Sequence, residues 1–272
     1  MNRRWKWRAS LAVMMILGLA SLGRTAPEAE RGMVDLRQVK PKWEVGDQWV
    51  VETRTLPIQA RRGPTGLTRG RPVPWQFTVQ QEEKLIDDCY RVEIRCLLEG
   101  APQPVTVLWI DKKSGALRQV QTQFPSADGF RTVTESYDSA GAQPSPVLSM
   151  LTALPVDLPA FQGNEAKGLE KYGYESRIGP AGVKNPGELG FAFEVEQEVA
   201  QPGAEQVKGL LDEDFAKNLA ERPVVEVRLK GVDRQVRQLW QAGLPWPVYA
   251  DNGTTVARLV KVKPVKAGPH AE

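Results

Sequence analysis

Histidine is almost missing from this chain: His270, in the polar C-terminal tail, is the single one among 272 residues. Ser-His-Asp and Cys-His catalysis need an imidazole base, and most zinc centres use an imidazole ligand. The single histidine argues against both unless the tail folds back. No glycine-rich phosphate loop follows a strand and no dinucleotide fingerprint is present, so no nucleotide cofactor is expected. Cysteine is scarce as well, with two residues, Cys89 and Cys96, in the stretch CYRVEIRC. An exported protein is allowed a disulfide, but these two share one strand. Their separation of seven positions is roughly 23 Å of extended chain, against the ~7 Å a disulfide tolerates. The odd separation also puts them on opposite faces. Tyr90, Val92, Ile94 and Cys96 make the apolar face, so Cys96 reads as a small core residue. Cys89 lies on the polar face with Arg91, Glu93 and Arg95, as a turn-adjacent thiol or a pairing site for another chain. An excess of one charge is lacking too. The net charge of +3 includes Arg3, Arg4, Lys6 and Arg8 at the N-terminus, and the rest carries no basic footprint of a nucleic-acid binder. After the N-terminal segment no apolar run approaches the roughly 20 residues of a membrane-spanning helix.

What is present starts with those four basic residues. They precede Leu11–Gly23, LAVMMILGLASLG, an apolar run closing on the small residues of Ser21-Leu22-Gly23. This is the layout of a cleaved export signal, and it assigns residues 1–23 to one. The run is shorter than the roughly 20 residues an anchor needs. Lys6 stands where a twin-arginine signal wants an apolar residue, so the general export route is expected. No cysteine closely follows, which argues against a lipid anchor. The mature protein is therefore expected in the periplasm or outside the cell.

Residues 24–42 read as a flexible segment, 43–262 as one antiparallel β domain, and 263–272 as a tail. The best-specified unit is Val236–Val262, a hairpin turning at Asp251-Asn252-Gly253, residues that tolerate the positive φ of tight turns. After the turn Val256, Val260 and Val262 share a face, with Arg258 interrupting the pattern. Earlier, Val45, Trp49 and Val51 share one parity. Hairpins are expected from Trp75–Lys84 with Tyr90–Leu98, and from Pro104–Asp111 with Leu117–Phe124. Two short helices are expected, at Pro146–Leu154 and Leu211–Ala220, from capping and four-residue apolar spacing. The stretch Leu158–Gly187, rich in Gly, Pro and charge, reads as a crossing or a seam between two β halves. The fold class is mainly β, a curved antiparallel sheet or incomplete barrel with two short helices.

Three groups carry candidate chemistry. Glu194, Glu196 and Glu198 alternate with Phe193, Val195 and Val199. Same-face neighbours lie roughly 7 Å apart on a strand, which suits a glycosidase-like carboxylate pair and equally a plain solvated face. Arg61, Arg62, Arg69 and Arg71 sit in one Gly/Pro-rich loop and could meet an anionic partner or remain solvated. Trp109, Trp240, Trp246 and Tyr249 could line a hollow for an apolar ligand or belong to the core.

The segment VTVLWIDKKSGALRQVQTQF, Val105–Phe124, resembles a hairpin of exported lipoprotein-carrier proteins, the LolA/LolB-like group: an apolar strand ending in Asp111, a Lys/Gly turn, and an alternating return strand. The resemblance implies a curved, incompletely closed sheet covered by helices, with a hollow for acyl chains. The leading expectation is thus an exported, non-enzymatic protein that binds an apolar or amphiphilic ligand such as lipid. The alternatives are a structural or protein-interaction β domain of the envelope, with an envelope protein as partner, and a carboxylate-dependent hydrolase.

Overall fold

The computed structural model describes residues 35–55, 70–81, 88–100, 103–127, 129–138, 157–161, 166–178, 185–187, 192–217, 219–230 and 235–263. The export signal expected at residues 1–23, Arg61, Arg62, Arg69, the helix expected at Pro146–Leu154, and His270 lie outside them.

Period-two alternation builds the sheet. In β1 (Gln48–Thr55) Trp49, Val51 and Thr53 are buried and the residues between them are not, because successive side chains on a strand point to opposite faces. The pattern repeats in β2 (Val73–Gln80), where Trp75, Phe77 and Val79 are buried. It continues in β3 (Cys89–Cys96), with Val92 and Ile94 inside. Then follow β4 (Val105–Asp111), β5 (Leu117–Ser126), β6 (Gly129–Asp138), β7 (Ala166–Ile178), β8 (Asn185–Gly187) and β9 (Ala192–Ala200). β10 (Val224–Lys230), β11 (Gln235–Gln241), β12 (Tyr249–Asp251) and β13 (Thr255–Lys263) complete the set. Helix is confined, among the described residues, to α1 (Ala204–Val207), α2 (Glu213–Ala216) and a 3-10 turn at Leu36–Val39.

Neighbouring strands run in the order β6-β5-β4-β3-β2-β1-β13-β12-β11-β10-β9-β7-β8. The pairings are antiparallel. β7 serves two partners in successive halves: Ala166–Lys171 pair with β9, and Lys171–Ile178 with β6. The sheet curves until its ends meet at this strand, yet β9 and β6 share β7 end to end and not along one full-length ladder. An antiparallel, incompletely closed barrel is the outcome; Trp49, Phe77, Ile94, Leu108 and Val120 fill its inner face, while on β10–β12 residues of the other parity, Val224, Leu239 and Tyr249, are buried as well.

Several local expectations are corrected. Val45 is 57% exposed, not inside with Trp49. It precedes β1 in a bend that is tied to β2 by Gly46 N–H donating to the Val79 carbonyl (2.8 Å). On β13 the inward residues are Thr255, Ala257 and Leu259, not Val256 and Val260. Val51 faces Leu259 while Val50 faces Lys261, so Val260 is an extra residue in the ladder. Such a bulge switches parity. It returns Val262 to the inner face opposite Trp49 and accounts for Arg258 interrupting the pattern. The Val236–Val262 unit is three strands, because β12 intervenes between β11 and β13. Its turn is as expected, with Gly253 at φ +81° and Asp251 Oδ1 accepting from Gly253 N–H (2.7 Å). The helix expected at Leu211–Ala220 is a single turn at Glu213–Ala216, and α1 stands where none was expected. Leu158–Gly187 carries β7 and β8. Their ladders hold by backbone pairing, which the Gly-rich and charged sequence there does not advertise.

Candidate functional site

The inner face divides into two chemically different regions. One is aromatic. Trp49 and Phe77 face each other across β1 and β2 with ring centroids 5.3 Å apart. Trp246 reaches in from the loop before β12 and contacts Phe77 (4.8 Å), Trp49 (5.9 Å) and Trp43 (6.4 Å). Tyr90 meets Trp43 edge-on at 5.1 Å. Prolines flank Trp246 in sequence; they lack the N–H a ladder needs, so the chain leaves the sheet here. The bend is fixed from outside the loop: Trp43 Nε1–H donates to the Pro245 carbonyl at 2.8 Å. Trp49 Nε1–H, by contrast, is buried without a hydrogen-bond partner.

The other region is amide-rich. Gln197 on β9 and Gln238 on β11 stand on the inner parity, opposite Leu229 and Val227 of β10. They hold the segment Asp157–Phe161, which lies buried against the inner face. The Gln197 side chain accepts from Ala160 N–H (2.8 Å) and donates to Ala160 O (3.0 Å). Gln238 Nε2 donates to Asp157 O, and Gln238 Oε1 accepts from Trp240 Nε1–H at 3.0 Å. Phe161 meets Trp240 edge-on at 5.2 Å. Further along the same face Thr106 and Thr122 share a hydrogen bond (3.2 Å), and the buried Glu135 stands opposite Val120. Buried amides and hydroxyls are tolerated in an apolar interior only when bonded, and these glutamines are bonded to a backbone segment.

The four aromatic candidates are not brought together. Trp240 and Trp246 lie in the inner core. Trp109 sits between the inward Leu108 and Ile110, so it faces the other way, into a small cluster with Cys89 and Val107. Tyr249 is likewise turned opposite to Ala250, and its hydroxyl donates to Asp251 Oδ2 at 3.1 Å. Burial, then the neighbouring Asp251 carboxylate, pushes its pKa up to about 12. Of the arginine group, Arg71 is exposed and the other three are outside the described residues. Glu196 and Glu198 are exposed, and Glu198 is paired with Lys230 at 2.6 Å; the Glu194 side chain is outside the described residues. Cys96 packs against the core as expected, whereas Cys89 is buried, and burial followed by nearby Asp111 raises its thiol pKa. The Asp111 turn is tightly built. Asp111 Oδ1 accepts from Ser114 N–H (2.6 Å) and Oγ–H (2.8 Å), and Arg118 lies 3.2 Å from Oδ2. Burial raises the Asp111 carboxyl, but these bonds outweigh it and the net direction is down. Lys40 Nζ donates to the Lys112 carbonyl of the same turn at 2.7 Å.

Sequence reasoning missed Gln197, Gln238 and the segment they hold. The signal was available: a glutamine on the apolar parity of an otherwise clean strand, VEQEV in β9 and VRQLW in β11. Comparisons with family models, with curated proteins and with solved structures find no match to this chain. Among the described residues no group of His, Cys, Asp and Glu is arranged to hold a metal ion.

Proposed function

We propose that this is an exported, non-enzymatic protein of the periplasm or cell exterior that binds an apolar or amphiphilic ligand, lipid foremost, on the inner face of its curved sheet. The observation that carries the reading is the division of that face: stacked aromatic rings suit an acyl chain, and a bonded amide and hydroxyl region suits a polar head. Ligand sites commonly pair predominant apolar lining with a few placed polar groups. Kinship with the LolA/LolB-like carriers belongs to the same proposal, supported by the fold class alone.

A fatty acid brominated along its chain tests it. Bromine quenches tryptophan fluorescence only in contact, so titration should quench saturably, while the unbrominated acid should compete the quenching away. Absence of saturable quenching refutes the reading.

The alternative, a structural or protein-interaction domain of the envelope, is favoured by a different observation: Trp43, Trp49 and Trp246 pack on one another and are all buried. Nothing described supports the hydrolase reading, since Glu198 is held by Lys230 on an exposed face.

A further inference from the structure

The segment Asp157–Phe161 has the composition of a ligand held in a site. Two side-chain amides meet its backbone at Asp157 O, Ala160 N–H and Ala160 O, and its Leu158 and Phe161 side chains are fully buried, with the Asp157 carboxylate buried beside them. Phe161 lies between the Trp240 ring and the β4–β5 turn, where a Cβ on Gly115 would come within 2.6 Å of it. Removing the segment would take from Gln197 Nε2 and Gln238 Nε2 the carbonyl acceptors they now bond, Ala160 O and Asp157 O. Buried donors of that kind demand a replacement acceptor.

We propose that Asp157–Phe161 is an internal stand-in that occupies the head-group end of the ligand site. The ligand that replaces it carries a carbonyl or carboxylate for the Gln197 and Gln238 amides and an apolar tail for the Trp240 ring that Phe161 now covers. This rests on the amphiphile reading and narrows it to acyl compounds. A protein whose site is occupied by its own segment binds with an affinity lowered by the fraction of time the segment is away. Loosening the segment therefore tightens binding.

The test uses the purified protein and three fluorescent probes: cis-parinaric acid, its methyl ester, and diphenylhexatriene, which has no polar group. Phe161→Ala should bind cis-parinaric acid about ten-fold more tightly than the wild type. Leu36→Ala, an equally buried residue outside the segment, should show no gain. Adding Gln197→Leu to Phe161→Ala should bring the acid down to the affinity of diphenylhexatriene. Equal affinity for the methyl ester assigns esterified lipid, and preference for the acid assigns free fatty acid; either supports the proposal. If Phe161→Ala does not fold by circular dichroism, Leu158→Ala carries the same expectation. Wild type and segment variant binding the acid equally overturns the stand-in but leaves the amphiphile reading intact. An equal gain in Leu36→Ala overturns it too, since the gain then reflects a loosened core. Failure of every variant to bind any probe overturns both.

Discussion

Replacing Trp246 with alanine should be among the most damaging single changes in the chain. The ring is buried and sits against Phe77 at 4.8 Å, Trp49 at 5.9 Å and Trp43 at 6.4 Å. Truncating a buried aromatic costs about 3–5 kcal/mol, from lost transfer energy and the cavity left behind. The upper half of that range applies here, because three ring contacts at roughly 0.5–1.5 kcal/mol each are lost with it. A domain of ordinary stability has ~5–15 kcal/mol in total, so Trp246→Ala should remain folded but with a urea midpoint far below the wild type. Trp246→Phe, which keeps a ring in place, should cost less than half as much. Phe130, 60% exposed at the β5–β6 turn, supplies the contrast: its alanine variant should fall within about 0.5 kcal/mol of wild type. Equilibrium urea unfolding followed by far-UV circular dichroism measures all three. A loss below about 1 kcal/mol for Trp246→Ala would mean the ring is not part of the packed interior, and the division of the inner face would lose its aromatic half.

Three further outcomes follow from particular contacts. Tyr249 ionises at about 12 when folded, against an ordinary tyrosine value of 10.0, so its contribution is complete below pH 10 and is lost as pH rises to 12. Two pH units correspond to about 2–3 kcal/mol; alkaline unfolding of wild type and Tyr249→Phe should diverge over that window, and parallel curves would contradict it. Cys96 should react with a thiol reagent ahead of Cys89, whose buried, raised-pKa thiol should label only on unfolding; rapid labelling of Cys89 in the native protein would contradict its burial. Gly115→Ala should destabilise by more than about 1 kcal/mol, because the residue sits at φ +76° and its new Cβ would press on Phe161; an unchanged thermal midpoint would show that the Phe161 ring does not pack against the turn.

The strands were legible wherever one face is apolar. WVVET in β1 and YRVEIRC in β3 announce their inward residues by alternation alone, and Asp251-Asn252-Gly253 announces its turn. The bulge at Val260 was not legible, because an extra residue exists only relative to the partner strand, and β1 lies some two hundred positions away in sequence. β7 was hidden for a related reason. Its Gly168 and Gly173 weaken strand propensity, and its place follows from two flanking ladders. Four-residue spacing in Leu211–Ala220 overstated a helix that stops after one turn, since Leu211 and Phe215 satisfy their apolar character by packing on the sheet instead. Of the site, Trp240 and Trp246 could be chosen by size but not separated from Trp109 and Tyr249, because facing depends on the register of each strand. Gln197 and Gln238 were visible as interruptions of an apolar parity, yet what they bind comes from a segment with no periodicity of its own.

The central claim, an amphiphile on the inner face, is tested most directly by native mass spectrometry of the protein purified gently from an envelope fraction. The account predicts a mass above that of the processed chain, with an excess that organic solvent releases and that fragments as an acyl compound. A clean unliganded mass at monomer or oligomer size would contradict it and favour the interaction-domain reading.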